Sequence, residues 1–100
     1  GLAKNTLEAY RRDLISLSAE MRQLRIRFPA RVRLQHLQKY LQRLMKGGAS
    51  ASSQRRRISA IRGFFRFLVQ EGLIEANPTD LLVSPRQSKR LPRTLSLDEV

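Results

Sequence analysis

Ile58-Ser59-Ala60-Ile61-Arg62-Gly63-Phe64-Phe65-Arg66-Phe67-Leu68 is the stretch that decides how this chain folds. Its apolar residues Ile58, Ile61, Phe65 and Leu68 recur at spacings of three and four, the period of one helix face and not the alternation of a strand. With Ile58 set to zero and a rotation of about 100° per residue, Ile61, Phe65 and Leu68 fall between about 280° and 340°. Arg55, Arg62 and Arg66 fall between about 40° and 80°, with Ser59 near 100°, so the arginines form one stripe beside the core stripe. Phe67, at about 180°, stands at the edge of the apolar arc, and the spacing of Phe64, Phe65 and Phe67 favours core packing over a base-stacking platform. The helix is expected from about Ser53 to Glu71, with Ser52 as its N-cap and Gly72 as its stop.

The same reading extends in both directions. Upstream, Leu34, Leu37, Leu41 and Leu44, with Tyr40, mark a second helix over roughly Val32 to Met45, closed by Gly47 and Gly48. The small-polar run Ala49 to Ser53 then reads as a loop, seven residues long when counted with the two glycines. Earlier still, Leu7, Tyr10, Leu14, Leu17, Met21 and Leu24 line one face of a first helix, and Asn5 with Glu8 three residues on reads as its capping box. Arg25 to Arg31 breaks that rhythm, and Pro29 marks a connecting loop. Downstream, Asn77-Pro78-Thr79-Asp80 has Asn at an N-cap, Pro at N1 and an acid at N3, which predicts a short fourth helix to about Val83. Ser84 to Thr94 is basic and broken by two prolines, the chemistry of a linker. Ser96-Leu97-Asp98-Glu99 reads as a fresh capping box. The expectation is an all-α, four-helix domain over 1–83, with 84–100 a linker into the first turn of a further domain. The opening Gly1 in place of Met agrees with a piece of something longer.

Charge narrows the function. Twenty Lys and Arg oppose eight Asp and Glu, a net charge of +12 over 100 residues. Sixteen of those bases are Arg, which keeps its charge and makes bidentate contacts to phosphate and to guanine. Residues 25–46 carry seven bases and no acid, and residues 47–71 add a further +4, so eleven of the twelve excess charges lie there. A charge run is ordinarily a solvated helix face, but such faces mix signs, and between Arg25 and Arg66 there is no acid at all. The arginine stripe of the third helix therefore reads as a nucleic-acid contact, because an α-helix fits the major groove and Arg reaches guanine edges or flanking phosphates. Arg56 and Arg57 point away from the stripe, toward phosphate or solvent.

Other chemistries find no footing. With no Cys, disulfides and thiolate metal sites are impossible. His36 stands alone in a helix rich in Lys, Gln and Arg, and reads as a solvated side chain. Gly47-Gly48 lacks the lysine and preceding strand of a phosphate loop. The acids sit singly, and Tyr10 and Tyr40 occupy core-phased positions. No apolar run approaches the ~18 residues of a membrane span, and no secretory signal is seen, so an intracellular setting is expected. Neither a catalytic centre nor a cofactor or metal site is expected.

Asn5-Thr6-Leu7-x-x-Tyr10-Arg11-Arg12-Asp13-Leu14, Tyr40-Leu41, the stretch quoted at the outset, Asn77-Pro78 and Ser84-Pro85-Arg86 together resemble the N-terminal core-binding domain of Xer-type tyrosine recombinases, a SAM-like domain shared with phage integrases. Arg90-Leu91-Pro92-Arg93-Thr94-Leu95-Ser96 is similar to that family's interdomain linker. The resemblance implies a four-helix SAM-like orthogonal bundle that clamps a double-stranded DNA half-site together with a C-terminal catalytic domain. The catalytic Arg, Lys, His-x-x-Arg, His or Trp, and Tyr of the family would all lie in that other domain. It further implies protomers assembled in a tetrameric synapse, in the bacterial cytoplasm in association with the nucleoid. Carried over by position, Lys4, Asn5, Thr6 and Arg11 on the first helix, and Ser52, Gln54, Arg55, Arg62 and Arg66 on the third, would face DNA. Lys89, Arg90 and Arg93 would follow the backbone between the two halves of the clamp.

Two rivals remain. A helix-turn-helix regulator needs a turn of about 3–4 residues, which the seven-residue loop before the third helix opposes. A basic RNA- or ribosome-binding domain would share the charge and differ in its preference for structured RNA over duplex DNA.

Overall fold

The computed structural model describes residues 4–85, with side chains from Leu7 onward. Three α-helices make up the described part: α1 (Lys4–Gln23), α2 (Leu34–Lys46) and α3 (Ala51–Gln70). No strand occurs among the described residues, so the fold class is all-α as the periodicity required.

The core is the meeting of the three predicted stripes. Leu17 and Met21 of α1, Leu37 and Leu41 of α2, and Phe65 of α3 have no exposed surface, and Ile61 and Tyr40 are nearly as enclosed. Each such side chain contributes roughly 1.5–3 kcal/mol by leaving water. Only the middle of the α1 stripe is enclosed, since Leu7 and Leu24 at its ends stay about half exposed. The segment expected to be a plain loop adds to the core instead. Val32 is buried, Ile26 and Phe28 pack against the cluster, and Phe28 stacks on Phe64 with ring centroids 5.6 Å apart and planes 5° from parallel. Phe65 meets both rings edge-on.

All three helices stop in the same way. After α1, the N–H of Ile26 bonds the Met21 carbonyl and that of Arg25 bonds Arg22. After α2, Ala49 bonds Leu44 and Gly48 bonds Met45; after α3, Leu73 bonds Leu68 and Gly72 bonds Val69. This paired pattern is the Schellman motif, which needs a left-handed residue at C′. Gly48 (φ 102°) and Gly72 (φ 72°) fill that position without strain, whereas α1 uses Arg25 (φ 62°).

The helix starts depart from expectation by one or two residues. Lys4 is already helical, so Asn5 lies inside the first turn of α1 and does not cap it. The Schellman turn after α2 consumes Ala49, which frees Ser50 to cap α3: its Oγ accepts from the Ser53 N–H at 3.1 Å. Ser52, the expected cap, is therefore inside the helix. At α2 the Arg33 N–H donates to His36 Nδ1 at 3.0 Å, so the lone histidine, half-buried, closes a helix end.

The predicted fourth helix is one turn. Asn77 Oδ1 accepts from the Thr79 N–H (2.8 Å) and from the Thr79 hydroxyl (2.6 Å), and the Leu82 N–H reaches the Thr79 carbonyl at 3.0 Å. Helix cannot continue because Pro85 pushes Ser84 toward extended backbone. The side chain of Gln38 also captures Val83 on both sides, donating to its carbonyl at 3.1 Å and accepting from its N–H at 3.3 Å. Leu82 is fully buried beneath this latch. Of the expected linker, only Ser84 and Pro85 fall within the described residues.

Candidate nucleic-acid interface

A polar ladder braces the helix that carries the arginine stripe. Asp13 of α1 is buried, and Arg56 of α3 grips it with both arms, Nε to Oδ2 at 2.9 Å and the terminal nitrogen to Oδ1 at 3.0 Å. Donating to the Asp13 carboxylate stabilises the charged Arg56 guanidinium further. Arg57 approaches the same carboxylate at 3.9 Å and donates to Gln54 Oε1 at 3.1 Å, while Gln54 Nε2 donates to the Leu41 carbonyl of α2 at 2.8 Å. Three helices are thus tied through one carboxylate and one amide.

This ladder corrects two expectations. Arg56 and Arg57 are not free for phosphate or solvent, because Asp13 holds both. Gln54, placed at the DNA face by resemblance, is 2% exposed with its amide engaged on both sides, so the structure sets it inside the protein.

Outward on α3 stand the stripe and, on another side, Phe67, which is 53% exposed and not packed in the core as its spacing suggested. Ser52, Arg55, Ser59 and Arg66 are exposed along one side, and neither Arg55 nor Arg66 pairs with any acid among the described residues. Arg62 lies on the same side but is half-buried, and its guanidinium donates to the Leu82 carbonyl, so it clasps the 78–85 turn to α3. Lys4, Asn5 and Thr6 form the first turn of α1. Arg11 is exposed but lines a groove with Leu7, Tyr10, Leu14, Phe28 and Phe64. Phe64 lies about 160–200° around α3 from the arginine stripe, so Arg11 belongs to another face. Lys89, Arg90 and Arg93 lie outside the described residues.

A cleft of about 570 Å³ between 29–34 and 73–78 contains Arg31, Arg33 and Glu75 but no histidine or hydroxyl side chain. Among the described residues no group of His, Asp and Glu is placed to hold a metal ion, and no buried side-chain polar atom lacks a partner. Burial raises the ionisation of the Tyr40 phenol, and the hydrogen bond to Ser16 at 2.8 Å opposes that rise only in part. Tyr40 is 3% exposed and has a structural role. No described helix is long and apolar enough to cross a membrane.

The family described as phage integrase, N-terminal SAM-like domain, matches residues 1–72. The chain belongs to that family. It is 39% identical over 100 residues to the tyrosine recombinase XerD of Brucella abortus biovar 1 (strain 9-941), and 41% identical over 100 residues to XerD of Rhizobium meliloti (strain 1021). It is 38% identical over 97 residues to the tyrosine recombinase XerC of Pseudomonas syringae pv. tomato (strain ATCC BAA-871 / DC3000). These alignments cover 100%, 100% and 97% of the chain and 32% of each relative, so the chain spans about a third of the length of the curated relatives it matches. No solved structure matches it. The α2–α3 connection also proves to be four residues, Gly47 to Ser50, so loop length no longer argues against a helix-turn-helix regulator. Membership of the integrase family separates the two readings instead.

Proposed function

We propose that this SAM-like domain binds double-stranded DNA through the exposed side of α3, as the N-terminal, core-binding part of a site-specific tyrosine recombinase. The observation that carries this reading is the pairing state of the arginines. Arg56 and Arg57 are committed to Asp13, whereas Arg55 and Arg66 are exposed on one face and pair with no acid among the described residues. On α3 these are the guanidiniums placed to meet phosphate or a guanine edge. Ser52 and Ser59 on the same face supply hydroxyls for phosphate contacts, and Lys4, Asn5 and Thr6 extend the contact to the start of α1. Arg62 works at one remove, holding the 78–85 turn against α3 so that the stripe keeps its place.

On this reading residues 1–83 are the DNA-binding unit, and 84–100, with Lys89 and Arg90, is the linker toward a catalytic domain. Strand cutting and rejoining belong to the full-length protein, assembled on recombination sites with other protomers in the bacterial cytoplasm. The domain alone binds duplex with weak sequence preference. The test is a mobility-shift titration of a duplex with Arg55→Ala and Arg66→Ala. Each substitution is expected to weaken binding about 5- to 10-fold, the loss of one charge-assisted contact, with thermal stability unchanged. Undiminished affinity in both variants would remove this face from the interface.

A further inference from the structure

A second basic site faces away from the α3 stripe. It is built by the left-handed turn at Arg25, which sends the chain back so that Ile26 bonds Met21 and the following residues run alongside the end of α1. Arg27 is thereby brought, with Arg22, into the lining of a notch of about 270 Å³ that Ser18, Ile26 and Phe28 complete. Both arginines are exposed, and no acid lines the notch. Ser18 donates its hydroxyl proton to the Ile15 carbonyl at 3.1 Å, which leaves the two guanidiniums as the charged groups of the notch. Arg11 stands two turns before Ser18 along the same side of α1, beside the groove that Phe28 and Phe64 share, about 16 Å from Arg22 along the helix axis.

The position of this face relative to the stripe follows from one ring stack. Phe28, a wall of the notch, lies flat on Phe64. Phe64 points about 160–200° away from Arg55, Arg62 and Arg66 around α3. A duplex lying along the stripe therefore leaves Arg22 and Arg27 on the far side of the domain. We propose that Arg22 and Arg27, with Arg11 along the same face, form a second seat for a phosphodiester backbone, so that one domain holds two DNA duplexes at once. The occupant is identified by charge and geometry. Two guanidiniums at one open notch suit the oxygens of a single phosphate. A third guanidinium farther along α1 suits a polyanion that continues past it, as a duplex does. The assignment of the first duplex rests on the function proposed above; the second seat does not.

The test uses the 100-residue chain and two duplexes of unrelated sequence, one fixed to beads and one fluorescent in solution. Wild-type protein loaded on the beads captures the second duplex. Arg22→Ala/Arg27→Ala is expected to bind the first duplex within about twofold of wild type and to capture the second about tenfold less. Arg27→Ala alone, on a loop, gives a smaller loss in the same direction and guards against misfolding of the double variant, with helical circular dichroism as the check. Capture at the wild-type level by both variants overturns the second seat. So does wild-type protein that captures no second duplex but binds phosphatidylserine vesicles through the same arginines. Unchanged first-duplex affinity in Arg55→Ala/Arg66→Ala would instead refute the α3 assignment, whatever Arg22 and Arg27 do.

Discussion

At the scale of single residues, the same side chain, arginine, takes four different roles, and its neighbours decide which. Arg56 is a buried-carboxylate ligand, Arg62 a clasp on a carbonyl, Arg25 a helix terminator, and Arg66 free. Periodicity sets Arg55, Arg62 and Arg66 on one side of α3, because side-chain direction on a helix follows position, but it does not show that the Leu82 carbonyl engages Arg62. It missed the partnership of Asp13 with Arg56, which joins residues 43 apart in sequence. Arg25 was equally illegible: glycine announces a left-handed C′ residue, and arginine does not. Arg25→Gly is expected to raise stability by about 0.5–1 kcal/mol by relieving that strain, which a thermal melt would read as a higher midpoint. Tyr40 makes a pH prediction. Its phenol is held above the ordinary value of about 10, so folded protein keeps a proton that unfolded chain releases. Stability from this group is complete below pH ~10 and declines as pH rises beyond it, and Tyr40→Phe should flatten that decline in denaturation curves recorded from pH 8 to 11.

At the scale of elements, three helices were readable because each carries an apolar stripe long enough to outvote its ends. Their boundaries were not, since capping depends on which serine the preceding turn leaves available. The fourth helix failed for a tertiary reason. Asn77-Pro78-Thr79-Asp80 does turn the chain, but Gln38 and Pro85 claim the backbone before a second turn can form. Leu82→Ala should cost about 2–4 kcal/mol, since the side chain is fully enclosed despite lying in an irregular segment. Asp13→Ala should cost roughly 2–3 kcal/mol, because it leaves Arg56 and Arg57 without a carboxylate in a partly dry site. Urea denaturation of both variants measures these directly. A loss below 1 kcal/mol for Asp13→Ala would mean the ladder is a surface ion pair in energetic terms.

At the scale of the molecule, the excess charge was plain from composition, and its division into two faces was not. A linear tally places seven bases between residues 25 and 46 without saying where they point. The fold sorts them by bringing Arg27 back to Arg22 and by stacking Phe28 on the side of α3 opposite its arginine stripe. Arg11, grouped by resemblance with the α3 residues, moves to the other face for the same reason. The central claim is that α3 meets a duplex through phosphate-neutralising arginines, and the dependence of affinity on salt tests it most directly. If about five phosphates are neutralised, log K falls against log[salt] with a slope of about −4 to −5, and Arg55→Ala/Arg66→Ala makes that slope shallower by about 2. A flat salt response in the wild type, or an unchanged slope in the double variant, would contradict it.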